Sequence, residues 1–324
     1  MSKKPKVGMW SGLTAVTAVL TAGAIVGTTV AFHYTTTVNN YLDADTYKII
    51  KGDSDEDTEY FKSDFTSDEE RESYEAELCA QVEAEGAALL KNDNNALPLA
   101  SGAKVSLFGH GSVDLMYGGT GSGSVDTSKA PNFKQALEDQ GIQVNSTLWD
   151  LYSSDDMMKN YSRITPAAIS DTLEANTQYA VNEAPWSKLS SAESSFADYG
   201  DAAIVVFSRS GGEGADLPSG ENGTNDSWIK GQEGDGNYLA LSAEEKELLQ
   251  NLKTLKDNGT FKKIIVLINS SNAIEMDFLN PEICGEDYGI DSAMWIGDVG
   301  QTGINGVAQL LAGEVTPSGS LVDS

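Results

Sequence analysis

The chain is poor in the residues that bridge strands or hold metals, with only two cysteines and two histidines in 324 residues. Cys79 and Cys284 lie far apart and form no C-x-x-C or Cys/His cluster, which argues against a disulfide framework or a structural zinc site. His33 closes an N-terminal apolar run, so His110 is the one histidine left for the globular part. Multi-histidine metal chemistry is thereby excluded, and no cofactor is expected. Basic residues are also scarce. Lys+Arg total 21 against 49 Asp+Glu, a formal charge of -28 that repels DNA and RNA, so nucleic acid is dropped as a partner. No G-x-x-x-x-G-K-[ST] phosphate loop occurs. The glycines at 119, 121 and 123 miss the G-x-G-x-x-G spacing, and no G-x-S-x-G elbow supports a serine hydrolase.

What is present begins with a membrane signal. Lys3, Lys4 and Lys6 precede an uncharged run from Val7 to Phe32, long enough to cross the roughly 30 Å hydrocarbon layer as a helix. Ala22-Gly23-Ala24 resembles a cleavage site but lies inside the run, so an uncleaved signal-anchor is favoured over a cleaved signal peptide. The lysines belong on the cytoplasmic side, which puts everything after Tyr34 outside the cell. The expected organisation is a cytoplasmic stub and transmembrane helix over 1–34, an acidic linker over 35–73, and one globular domain over 74–324.

The globular part, in a chain 40% hydrophobic and 22% charged, alternates strand and helix patterns. Ser67 with Glu70 forms a capping-box pattern, with the helix proper expected from about Ser73, and Leu78, Val82, Leu89 and Leu90 recur at helical spacing. "KVSLF" at 104–108, "AAIVVF" at 202–207, "KIIVLI" at 263–268 and "SAMWI" at 292–296 read as buried strands. Between them, "NFKQALEDQG" reads as a helix, as does the segment opened by the Ser242/Glu245 capping box, and "INGVAQLLAG" reads as the last helix. Apolar strands separated by helices predict an α/β fold: a largely parallel sheet with helices on both faces. The stretch 153–199 reads either as helical packing or as an excursion.

Such sheets bind ligands at the carboxyl ends of their strands. There "SGGEGADLP", residues 210–218, sets Glu213 among glycines directly after a strand, with Arg209 and Asp216 beside it and Glu221 and Glu233 farther along. A carboxyl group held at a loop tip suits general acid/base chemistry, whereas composition alone reads these residues as solvated acids. "GDVGQTGING", after the strand at 292–296, reads either as a ligand rim or as the turn into the last helix.

"EGAALLKNDNNALPL", "GGTGSG", "SRSGGEGADLP", "LSAEEKELL", "KIIVLINSSNAIEMDFL" and "MWIGDVGQTGINGVAQLLAGEVTPSGSLVDS" occur in the order and approximate spacing of the α/β-sandwich domain of family 3 glycoside hydrolases. The chain resembles that domain over about residues 74–324. The resemblance implies a β-glucosidase-like, exo-acting glycosidase whose site lies between this sandwich and a TIM-like barrel that supplies an aspartate nucleophile. It implies that Glu213 is the acid/base, with Glu233 as runner-up, that Tyr117 and the "GGTGSG" loop lie on the barrel-facing rim, and that Tyr117, Arg209 and Asp216 border the substrate. Arg209 reads more as a loop organiser than as a catalyst. Leu217 stands where the family often has arginine, which weakens a substrate contact there, and Ser320 replaces an arginine in a way that bears on packing. No segment resembles the nucleophile motif, and retaining chemistry needs two carboxyl groups roughly 5 Å apart. The expected partners are therefore a β-glucoside or oligosaccharide, a barrel in the same or another chain, and the membrane. The alternative is a non-catalytic carbohydrate-binding or barrel-partner module.

Overall fold

The structure is a computed structural model that describes residues 7–42, 62–163, 179–213, 217 and 237–322. The chain divides into two compact units, Met1–Asp64 and Phe65–Ser324. The first unit contains helix α1 (Val7–His33) and helix α2 (Thr35–Tyr41). Within α1 the stretch Trp10–His33 is long and apolar enough to cross a membrane, a property that anchors and signal sequences share. The hydroxyls of Thr14, Thr17, Thr28 and Thr29 each donate to the carbonyl four residues back, which satisfies them inside the helix.

The second unit opens with α3 (Asp68–Gly86), earlier than the sequence pattern suggests. Ser67 is its N-cap, its hydroxyl accepting from the Glu70 N–H at 3.2 Å, and Asp68, Glu69 and Glu70 put negative charge on the first turn where the helix dipole favours it. Leu89 and Leu90 do not extend this helix. The chain turns extended at Ala87 after Gly86, and both leucines fall on strand β1 (Ala88–Asn92).

Five further strands follow: β2 (Lys104–Phe108), β3 (Gln143–Val144), β4 (Ala202–Arg209), β5 (Ile264–Ser270) and β6 (Ser292–Trp295). The sheet order is β1-β6-β5-β4-β2-β3, with every pairing parallel except β1 against β6, so the sheet is mixed. Every residue of β4 and β5 is buried, which is why both read as unbroken apolar runs instead of alternating ones. Their side chains still alternate between two cores. Ile204, Val206, Ile265 and Leu267 face α4 (Phe133–Asp139) and α9 (Ile304–Ala312) through Phe133, Leu137, Val307 and Leu311. Val205, Phe207, Val266 and Ile268 share the opposite core with Leu148 of α5 (Ser146–Tyr152), Met157 of α6 (Asp155–Tyr161), and Leu248 and Leu252 of α7 (Ala243–Asp257). Helix α8 (Pro281–Cys284) sits between β5 and β6 in the chain. Gly306 lets α9 approach α3 closely, since a Cβ there would run into the Ala80 carbonyl.

This topology positions the site. From β2 the chain moves outward to β3, then returns to place β4 on the other side of β2. The loops leaving β2 and β4 therefore diverge from adjacent strands, the switch point at which open α/β sheets form a crevice.

Candidate functional site

The two loops at that switch point are stitched together. Gly212, at φ 139°, pairs with Thr120 in an isolated parallel bridge, and the Thr120 N–H donates to the Gly211 carbonyl at 3.1 Å. The Thr120 hydroxyl donates to the Glu213 carbonyl at 2.8 Å, and the Ser122 N–H donates to the Glu213 carboxylate at 2.8 Å. The glycines now have a specific use. Gly121 has φ 70°, and a Cβ there would lie 2.7 Å from the Cβ of Glu213, so a side chain would push the carboxylate off the Ser122 amide. That backbone hydrogen bond, with the Ser122 side chain adding to it, holds the Glu213 carboxyl below its usual range, so it rests ionised, exposed at the tip of its loop.

Behind the loops, Asn269 of β5 joins three strand ends. Its Oδ1 accepts from the Met116 N–H at 2.6 Å and the Ser208 hydroxyl at 3.2 Å, while its Nδ2 donates to the carbonyls of Met116 at 3.0 Å and Gly297 at 2.6 Å. Asn272 adds a donor to the Ser210 carbonyl at 3.1 Å. The expected site residues do not include these two asparagines. The available signal is "INSSN", polar amides closing an otherwise apolar strand.

Arg209 is fully buried, and its whole donor set is used within the protein. Nε donates to the Tyr238 carbonyl, Nη1 to the Ser208 carbonyl and Glu245 Oε1, and Nη2 to the Ala240 carbonyl and Glu245 Oε2, all within 3.0 Å. No N–H of Arg209 remains free for a further partner, and its bonds tie the end of β4 to the start of α7. Its counter-ion Glu245 is also the capping-box residue of α7, accepting from the Ser242 N–H at 2.8 Å.

Tyr117 is half-buried on the wall of a pocket of about 450 Å³ that also borders Thr120, Arg163 and Ser210. Its hydroxyl donates to the Pro131 carbonyl at 2.9 Å, and burial, with Asp114 nearby, pushes the phenol pKa up. Asp216, Glu221 and Glu233 lie outside the described residues.

His110 is held away from solvent by Glu183, whose Oε2 lies 2.9 Å from the ring Nδ1 and accepts from the His110 N–H at 2.9 Å. The other carboxylate oxygen accepts from the Ala184 N–H at 2.9 Å, while the His110 Nε2 is buried with no hydrogen-bond partner among the described residues. A pair of acids, Glu83 and Asp298, is also incompletely satisfied. Glu83 of α3 is pushed up to about 8, by burial first and by Asp298 second. Burial also raises Asp298, against bonds from Ser271, and each acid keeps one buried oxygen without a partner.

Residues 87–324 match the family described as the glycosyl hydrolase family 3 C-terminal domain. The chain is 31% identical over 251 residues to a β-glucosidase of Ruminococcus albus, a match covering 76% of this chain and 22% of that protein. It is 30% identical over 265 residues to β-glucosidase A of Butyrivibrio fibrisolvens, covering 76% and 28%. The chain thus spans about a quarter of the length of these curated relatives. Among solved structures, β-glucosidase 3B from Thermotoga neapolitana in complex with glucose aligns at TM-score 0.56 and 25% identity, over 78% of this chain and 31% of that one. A β-glucosidase from Paenibacillus barengoltzii aligns at 0.53 and 28%, over 75% and 23%. With a family match over most of its length, this chain belongs to glycoside hydrolase family 3 through that family's C-terminal domain.

Proposed function

We propose that this chain is the sandwich part of a β-glucosidase-like glycoside hydrolase, anchored to the cell membrane by α1 with the globular unit outside, in which Glu213 is the acid/base. The observation that carries the reading is the clamp on Glu213: a carboxylate at the switch point, fixed through Thr120, Gly121 and Ser122 instead of left to roam on an acidic loop. A retaining enzyme uses such a group twice, first to protonate the leaving oxygen and then to deprotonate the incoming water. The ionised form held by Ser122 is the form required for the second step. For the first step the carboxyl must take up a proton, and a second carboxylate roughly 5 Å away, supplied by a barrel, favours this by like-charge repulsion. Tyr117 and Asp216 then border the substrate, a β-glucoside or oligosaccharide, and Glu233 is the acid to test if Glu213 fails.

The test combines the full chain with a family barrel domain. Alone, the chain should hydrolyse aryl β-glucosides negligibly; with the barrel, turnover should appear. Robust turnover by the chain alone would overturn the composite-site reading, and a reading frame that continues past codon 324 into a barrel would supply the natural partner.

A further inference from the structure

We propose that Glu83 of α3 and Asp298 of the turn after β6 form a proton-operated latch: one proton on the pair holds α3 closed against the turn, and its loss releases the turn. Glu83 Oε1 and Asp298 Oδ1 are both buried and have no hydrogen-bond partner among the described residues. Asp298 is the better supported of the two, with bonds from the hydroxyl and backbone of Ser271 and with Arg163, itself paired to Asp114, close enough to favour its charge. Glu83 receives no such bond among the described residues, and the charge that acts on it is that of Asp298. The proton therefore rests on Glu83 and the negative charge on Asp298. Ionising both puts two like charges in a largely buried site, which disfavours the closed arrangement. The other titratable group on this face of α3 is Cys79, one turn before Glu83, whose Sγ lies 4.0 Å from the Val299 carbonyl.

Glycines make the contact between helix and turn close. A Cβ on Gly303 would lie 2.9 Å from the Cβ of Glu83, and one on Gly300 would lie 3.0 Å from the Cys79 sulfur. The Thr302 hydroxyl adds a bond to the Ala76 carbonyl at 3.0 Å. Gly297 at φ 58° and Gly300 at φ 65° bracket Asp298 and Val299 in backbone that other residues rarely adopt, which gives the turn a hinge on each side of the acid. The residues flanking Asp298 are also tied to the clamp on Glu213. The Gly297 carbonyl accepts from Asn269 Nδ2 at 2.6 Å, and the Val299 N–H donates to the Met116 carbonyl at 3.1 Å. Met116 leads into the loop whose Thr120 and Ser122 hold Glu213. Release of the turn therefore loosens residues 118–123 as well. The consequence for catalysis rests on the proposed function; the latch itself does not.

The experiment is hydrogen exchange of the full chain in detergent, read by mass spectrometry from about pH 5 to about pH 9 and corrected for intrinsic exchange rates. Because the closed state raises Glu83 from 4.5 to about 8, opening is linked to the release of one proton. Protection of residues 76–86 and 297–303 should fall by up to about tenfold per pH unit between about pH 5 and pH 8 and level off above that, with residues 118–123 following and α7 unchanged. Glu83→Gln keeps the shape but removes the titration, so protection should stay high and flat across the range. Asp298→Asn removes the like charge and should move the levelling point to lower pH, which keeps the latch testable if Glu83→Gln does not fold. Flat protection in the unmodified chain, a slope unaltered in both variants, or an equal loss over α7 would overturn the latch. Opening at 297–303 with 118–123 still protected would overturn its link to the clamp. None of these readings uses turnover, so a failed acid/base assignment, seen as unchanged turnover in Glu213→Gln, leaves them standing.

Discussion

Arg209 and Arg163 are two buried arginines at the same rim of the sheet, each paired with a carboxylate, and they differ in how completely they are satisfied. Arg209 meets both oxygens of Glu245 and three carbonyls, with both partners almost fully buried. Among the described residues Arg163 bonds to Asp114 alone, whose side chain is 27% exposed, and its Nε has no hydrogen-bond partner. The first arrangement is closed and fixes a loop. The second is less complete, one buried N–H short of full pairing among the described residues. Counting donors separates the two roles where residue type and location do not.

The comparison is broken most forcefully at Arg209. Arg209→Met leaves Glu245 buried without a cation, and urea unfolding should show a loss of about 3–5 kcal/mol. A loss under about 1 kcal/mol would mean that the five bonds are replaceable and that the contrast is false. Arg163→Met should cost less, about 1–2 kcal/mol, because the partly exposed Asp114 can be rehydrated.

Glu83 extends the contrast to a buried acid with no cation. Its carboxyl is raised from the ordinary 4.5 to about 8, so the folded state keeps a proton that the unfolded chain releases. The stability this contributes is complete below 4.5 and lost as pH rises through about 8. Melting temperature should therefore fall from pH 5 to pH 8, and Glu83→Gln should flatten the slope; an unchanged slope would place the titrating group elsewhere. The smallest effect is expected from Thr120→Val, about 0.5–1.5 kcal/mol for one partly exposed hydrogen bond. Its more telling sign is in carboxyl NMR, where the Glu213 titration should move up toward the ordinary range as the Ser122 contact loosens.

These contacts also mark where sequence reasoning ended. Strands β2, β4, β5 and β6 were legible because buried parallel strands are continuous apolar runs, and the α7 start because a capping box is local. β3 is two residues long and has no pattern to find. β1 shares its leucine spacing with the preceding helix, and only pairing with β6 makes it a strand. Glu213 was visible as a carboxylate among glycines, but the clamp on it joins positions 91 and 93 apart. Asn269 reaches Met116 across 153 positions and Arg163 reaches Asp114 across 49, separations on which local periodicity is silent. The Ser242/Glu245 capping box is a local pattern, whereas the second role of Glu245 as the Arg209 counter-ion belongs to the tertiary fold.

The most direct measurement of the central claim is the turnover of Glu213→Gln in the chain assembled with a barrel domain. With a β-glucoside bearing a poor leaving group, turnover should fall by about 10²–10⁴ and stay low with azide, whereas with an activated aryl β-glucoside, whose departure needs no acid, azide, a nucleophile that needs no general base, should restore turnover. Unchanged turnover, or a loss that appears only in Glu233→Gln, would contradict the assignment.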